Sequence, residues 1–366
     1  MHTLSYFLLA FLAMPFDVTT ISAPDGSINA SLVAFGSTLT ELWVKNKYGK
    51  LVDVVPGYDD NTLLLTGGRL CLNAVVGRYA NRIENGTFTI PITKSPPPDG
   101  HVYHTPKNDH NGESFNKCNP INTLHGGIYG WDRRNWTVVE TSPTSITYQH
   151  IDYADEGFPG IVHVTATHSV SNGGIFRTSM QATATEKTPI MLTQHIYWNL
   201  DGFQNGSDNV LAHNLDIPAS RIIKVDSDGI PTGELVNVSG TPYDFRTRRS
   251  IGAAFIADQT FPGYDNAWIY DKSSGATAEL RSESSGIRLI FHTNQPAVQV
   301  YLASLDMPRK NVHGGAAKQY GPRSTVAIEH QGWLDAINNP QWGVNQIYDA
   351  KREFTWNTVY KFSVEH

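Results

Sequence analysis

A histidine set in an alternating apolar–polar stretch, Thr193-Gln194-His195-Ile196-Tyr197-Trp198-Asn199-Leu200, is the first group placed to move a proton. An unperturbed imidazole titrates near roughly 6.5, so it can give or take a proton around neutral pH. Tyr197 and Trp198 offer flat surfaces beside it, and Gln194 and Asn199 offer amides. That mixture suits a pocket for a small polar ring compound. The same residues taken alone also describe a core strand whose histidine is satisfied by one backbone carbonyl, since one residue does not fix a function.

Four other stretches supply company for His195. Gly77-Arg78-Tyr79-Ala80-Asn81-Arg82-Ile83 packs two arginines, an asparagine and a tyrosine ahead of Gly86–Ile90. Leu124-His125-Gly126-Gly127 puts a second histidine on a glycine-rich turn, where backbone can approach a ligand closely. Gly263-Tyr264-Asp265-Asn266 is a turn carrying an acid, and Ala327-Ile328-Glu329-His330-Gln331 puts a glutamate at the end of an apolar strand. Each has a structural reading as well: a sheet-edge ion pair, a glycine turn, an Asx turn and a solvated strand end.

The elements that must position these groups read as β almost throughout. Short apolar runs at 28–35, 38–44, 136–139, 145–149, 162–170, 175–183, 211–217, 267–270, 287–291 and 297–303 are bounded by Gly, Pro, Asn and Asp. No longer segment sustains a helical apolar period. With 40% hydrophobic and 11% aromatic residues the chain can fill a sizeable core. A large sandwich or barrel in one domain fits this pattern. Residues 95–119, rich in Pro, Asp and Asn, read as a long excursion from the sheet. A formal net charge of −6 and a pI near 6.1 give no basic excess for nucleic acid or an anionic membrane.

The apolar run Leu4–Phe16 is too short to span a bilayer and resembles a secretory signal peptide. We expect a removed leader over 1–22, a single domain over 23–366 and a secreted protein with no membrane association after cleavage. Acceptor sites for N-glycosylation at Asn29, Asn85, Asn135, Asn205 and Asn237 point the same way, with Asn135 the least certain because it adjoins Trp136. In an exported chain the two cysteines, Cys71 and Cys118, are expected to form a disulfide, worth about 3–4 kcal/mol if unstrained.

Taken in order, GRYANRI, LHGG, the EGFPG turn at Glu156–Gly160, the His-x-Tyr-x-Asn-Leu strand, GYD and the late glutamate strand resemble the aldose 1-epimerase (galactose mutarotase) family. The resemblance covers nearly the whole chain beyond the leader-like segment. It implies an all-β fold, a large antiparallel β-sandwich of the galactose mutarotase type, with a sugar site in a shallow cleft. It assigns His195 and Glu329 to catalysis, and Asn81, Arg82, His125 and Asp265 to binding a monosaccharide. The chain departs from the usual pattern at Gln194, Ile196 and Trp198, which are read as altered pocket walls. It departs also at Asn266 and at Leu334, where proline usually precedes Asp-Ala. His313-Gly314-Gly315 repeats the glycine turn only superficially.

Interconverting α and β anomers of a free aldohexose requires a base at the C1 hydroxyl and an acid at the ring oxygen. No metal, nucleotide or other cofactor is called for. A carboxylate near roughly 4.3 and an imidazole near roughly 6.5 meet the two roles, Glu329 as base and His195 as acid. Two rivals share the implied fold. A hexose-6-phosphate epimerase would need basic residues for phosphate, for which Arg133 and Arg134 are available; a carbohydrate-binding or sensing module would need no acid–base pair.

Overall fold

The segment Val162–Ser171 shows why this chain forms sheets: its residues alternate between buried and more exposed positions along its whole length. It turns through Asn172-Gly173-Gly174, both glycines at positive φ (79° and 72°), and pairs back with Ile175–Ala184. Glycine takes that backbone region without steric cost, which makes the tight turn possible. A computed structural model describes residues 14–93, 101–109, 120–204, 208–272, 275–315 and 318–365.

Two antiparallel sheets dominate. The larger has nine strands, in the order Thr137–Ser142, Ser145–Asp152, Val162–Ser171, Ile175–Ala184, Phe354–Val364, Ile287–Thr293, Ala276–Arg281, Asn214–Asp216 and Arg249–Ser250. The second has six: Tyr197–Trp198, Thr325–Gln331, Ala297–Ala303, Asp265–Ile269, Arg221–Val225 and Pro231–Asn237. One apolar core joins them, with Val298, Val300, Val326, Ile328 and Trp268 facing Phe176, Met180, Phe291, Leu289, Trp356 and Tyr360. Trp198 lies across this interface, its ring 5.6 Å from Tyr360, 5.9 Å from Phe362 and 6.1 Å from Phe291. The expected antiparallel β-sandwich is the observed architecture.

Strand periodicity then decides which residues face away from the core. Within Thr325–Gln331, Val326, Ile328 and His330 point inward, so Ala327 and Glu329 take the opposite face. Within Ala297–Ala303, Val298, Val300 and Leu302 point inward, and Gln299 and Tyr301 therefore point outward. The register lays Glu329 beside Gln299 and Asp265 beside Tyr301. The outer face of the six-stranded sheet thus gathers polar groups that lie far apart in sequence.

Three expectations bear on this fold. The folded unit starts before residue 23: Thr19–Ser22 pairs with Ile28–Val33, Ile21 is in the core, and the Phe35 N–H donates to the Pro15 carbonyl at 2.8 Å. A leader ending at 22 would remove a sheet strand; residues 1–13 lie outside the described residues. Among the described residues Cys71 has no disulfide partner. It is buried with Sγ 3.4 Å from the Asp132 carboxylate, and burial pushes its pKa well up; Cys118 lies outside the described residues. Finally, Gln194, Ile196 and Trp198 are not pocket walls. All three are fully buried, Ile196 and Trp198 in the inter-sheet core and Gln194 accepting from the Thr178 hydroxyl at 2.7 Å.

Among the acceptor asparagines, Asn85, Asn135 and Asn237 are exposed, Asn29 is half-buried and Asn205 lies outside the described residues. Asn135 is exposed although Trp136 beside it is buried, because alternation sends the two side chains to opposite sides.

Candidate active site

His195 does not sit within one continuous strand. It stands where the chain leaves a short pairing of Thr193–Gln194 with Val75–Val76 and enters the pairing of Tyr197–Trp198 with Thr325–Gln331. Asn73 fixes this crossing from both sides: its N–H donates to the His195 carbonyl at 3.0 Å, and its Oδ1 accepts from the Tyr197 N–H at 3.0 Å. The His195 N–H in turn donates to the Ala74 carbonyl at 2.9 Å. Asn73 has a φ of 55°, a left-handed conformation that asparagine tolerates better than most residues. These bonds send the imidazole out of the core.

Its Nε2 lies 3.3 Å from Oε1 of Glu329, both side chains almost wholly buried. Burial, and then the nearby Asp265 carboxylate, push the Glu329 pKa well above 4.5, with Arg82 pulling the other way. Burial lowers His195 to about 4. The pair therefore departs from the ordinary values in both directions, and each group is driven toward its neutral form. Nδ1 of His195, Oε2 of Glu329 and Oε1 of the adjoining Gln299 are buried with no protein partner among the described residues. Buried polar atoms are nearly always paired, so these three neighbouring atoms are free to take hydrogen bonds from a bound molecule.

The loops opposite supply the other expected residues. Asn81, at φ 62°, accepts the His125 N–H on its carbonyl at 3.0 Å, and its own N–H donates to Nδ1 of His125 at 3.1 Å. The Asn81 side chain accepts from the Arg82 N–H at 2.9 Å. Asn81 thus shapes the loop that carries Arg82 and orients the His125 ring, which stands edge-on to His195 at 5.4 Å between centroids. Burial and then His195, Arg69 and Arg82 hold the His125 pKa well below its usual value. The turn needs its glycines: a Cβ on Gly126 would strike the Gly77 carbonyl, and one on Gly127 would strike the Glu156 carboxylate. Glu156, from the EGFPG turn, accepts the Ile128 and Tyr129 N–H groups at 3.1 and 2.8 Å, which explains why the two motifs occur together.

Arg82 reaches the same space, with Nη1 3.9 Å from the half-exposed Asp265 carboxylate. Asp265 accepts a 2.6 Å bond from Nε2 of Gln299, which fixes its position beside the pair. The structure therefore brings His195, Glu329, Asn81, Arg82, His125 and Asp265 into one cluster. The other arginine of GRYANRI is structural: Arg78 is buried in an ion pair with Asp152 at 2.6 Å. Arg133 donates to the Leu65 carbonyl at 2.9 Å and Arg134 to Asp155 at 2.8 Å, both in exposed contacts. His313 is buried against Asp53 and Tyr320, away from the cleft residues.

Sequence reasoning missed Gln299, Asn73 and Arg69. Gln299 carried a faint signal, a polar residue at an outward position between Val298 and Val300. Arg69 donates to the His125 carbonyl at 2.8 Å and pairs with Asp132 at 2.7 Å, yet nothing in its neighbourhood in the sequence marks it.

With this geometry in hand, comparison with known proteins is informative. The family profile described as aldose 1-epimerase matches residues 17–361. A probable aldose 1-epimerase of Arthroderma benhamiae is 36% identical, over 92% of this chain and 84% of that protein. The galactose mutarotase of Mus musculus is 33% identical, over 92% of both chains. A solved aldose epimerase homologue from C. elegans superposes with a TM-score of 0.83 at 28% identity, covering 96% of this chain and 99% of that one. A galactose 1-epimerase from Lactobacillus acidophilus, at 20% identity and a TM-score of 0.74, shares the fold. The chain belongs to the aldose 1-epimerase family.

Proposed function

We propose that the cleft interconverts the α and β anomers of free, uncharged aldohexoses such as glucose and galactose. The 3.3 Å contact between Nε2 of His195 and Oε1 of Glu329 carries this reading. The two oxygens on C1 of a cyclic aldose are bonded to the same carbon, so base and acid must converge on neighbouring points. A buried carboxylate and imidazole already in contact do so.

The pair holds one proton, and burial favours the state in which both partners are neutral. Arg82 and the hydroxyl groups of a bound sugar stabilise a carboxylate at Glu329, and the proton then resides on His195. Glu329 takes the C1 hydroxyl proton while His195 protonates the ring oxygen, and the C1–ring-oxygen bond breaks to leave the aldehyde. At that point Glu329 is protonated and His195 neutral, the arrangement burial favours. Rotation about C1–C2 presents the other aldehyde face, and the two transfers reverse. Asn81, Arg82, His125 and Asp265 hold the chain in place, so each transfer is intramolecular.

The acid–base pair speaks against a binding module. Polarimetry on freshly dissolved α-glucose, α-galactose and glucose 6-phosphate tests the reading. Faster relaxation of the two neutral sugars is the expected result; a preference for the phosphate, or binding without acceleration, would refute it.

Export is part of the same proposal. The apolar run at the N-terminus and the exposed Asn85, Asn135 and Asn237 support it. Cleavage ahead of Pro15 would keep the strand at Thr19–Ser22 and the packing of Phe16 on Phe35 at 5.1 Å.

A further inference from the structure

The His195 ring lacks the partner that ordinarily aims a proton-transferring histidine. Its Nε2 meets Glu329, while Nδ1, where a carboxylate or carbonyl often holds such a ring, is buried with no partner among the described residues. The direction of the ring must then come from its backbone and its flanking groups. We infer that Asn73 is the positioning residue that aims His195 at the substrate, and that it governs turnover rather than affinity. This rests on the epimerase reading above.

Asn73 is fully buried, and each of its polar groups is engaged. On the main chain, its N–H donates to the His195 carbonyl at 3.0 Å and its carbonyl accepts from the Leu39 N–H at 3.3 Å. On the side chain, Oδ1 accepts from the Tyr197 N–H at 3.0 Å and Nδ2 donates to the Pro56 carbonyl at 2.8 Å. One residue thus grips the histidine segment at two points and ties it to residues 54–56. Those residues take a further hold beyond Tyr197, where the Val54 carbonyl accepts from the Asn199 N–H at 3.0 Å. Tyr197 completes the seat. Its hydroxyl donates to the Leu70 carbonyl at 2.8 Å, and its ring lies 4.8 Å from the imidazole.

The φ of 55° at Asn73 suits glycine as well as asparagine, so the backbone alone does not call for an amide here. Removing Oδ1 takes the acceptor from a buried backbone N–H close to the imidazole, a cost the chain relieves by shifting. A displacement of about 1 Å at a proton-transferring group can cost about a hundredfold in rate. Arg82, His125 and Asp265, which hold the sugar in this reading, stand on other segments. Affinity is therefore spared while turnover falls.

The test is a double-mutant cycle with galactose, using Asn73→Gly and His195→Asn singly and together. Polarimetry gives kcat and KM, and melting temperatures confirm folding. Glycine accepts the left-handed backbone and removes only the side chain. Asn73→Gly should lose roughly 10- to 100-fold in kcat with KM within about twofold of the wild type. In the His195→Asn background the same change should cost less than about twofold, because the group it aims is gone. If Asn73→Gly does not fold, Asn73→Asp, which tolerates the same backbone and loses the amide donor to Pro56, carries the cycle. An equal loss in both backgrounds, or an unchanged kcat in the folded single variant, would overturn the assignment and leave Asn73 a brace only. A wild-type protein that neither binds nor converts any aldose would overturn the epimerase reading itself, a result seen before any variant is compared.

Discussion

The backbone N–H of Asn81 donates to Nδ1 of His125 at 3.1 Å, and this contact determines what His125 can do. A nitrogen that accepts a hydrogen bond carries no proton, so the ring proton lies on Nε2 and the imidazole is neutral. The lowered pKa of His125 agrees. In the proposed reaction His125 would then serve as a hydrogen-bond donor to substrate, with His195 as the acid.

The first prediction follows from that division. His125→Asn should raise KM about tenfold, the scale of one net hydrogen bond, while kcat stays within a few-fold of wild type. Initial rates over a range of galactose concentrations would show it. A collapse of kcat with KM unchanged would move the acid role to His125.

The coupled pair also fixes the pH profile. Adding a second proton destroys the base, and that step belongs to His195, lowered to about 4. Removing the single proton destroys the acid, and that step belongs to Glu329, raised well above the carboxylate range. A plot of kcat/KM against pH should therefore be a bell whose acid limb lies near pH 4 rather than near 6.5. Glu329→Gln should abolish the basic limb in whatever activity remains. An acid limb near 6.5 would show that His195 titrates as a solvated imidazole.

Much of this was legible in the sequence, for a definite reason. Residues that act through their own side chains on short motifs, such as His125 on its glycine turn and Arg82 in GRYANRI, announce themselves by type and spacing. The strand pattern around His195 was legible too, but its faces were not: His195 and Tyr197 face the cleft while Gln194, Ile196 and Trp198 are buried on the other side. Alternation gives two faces without saying which one meets the second sheet. Glu329 looked like a solvated strand end, whereas every residue of Thr325–Gln331 is buried. Its environment depends on neighbouring strands that no local pattern specifies. Arg69 was invisible because it acts on a partner brought near only by folding. The pairing of Cys71 was inferred from a count alone; its sulfur packs against Asp132, and Cys118 lies outside the described residues.

A third prediction concerns Arg69, which pairs with Asp132 and donates to the His125 carbonyl. Both side chains are largely buried, so Arg69→Met leaves a carboxylate without its cation. We expect a loss of about 3–5 kcal/mol in urea unfolding, much of it recovered when Asp132 is also made apolar. The single variant should also raise KM, since the His125 turn loses its clamp. A loss below about 1 kcal/mol would show that Asp132 finds another partner.

Expression through a secretory host should yield a protein that loses apparent mass on enzymatic deglycosylation, with Asn85, Asn135 and Asn237 as the occupied sites. Mass spectrometry of the released peptides identifies them. An unglycosylated product would remove the support those asparagines give to export.

The acid–base assignment is tested most directly by polarimetry of α-galactose with Glu329→Gln and His195→Asn beside the wild type. Each variant should lose a factor of roughly 10²–10⁴ in kcat, the usual worth of a general acid or base, while still binding galactose. Either variant turning over within tenfold of the wild type would contradict the account, because the contact between His195 and Glu329 would then not be the seat of proton transfer.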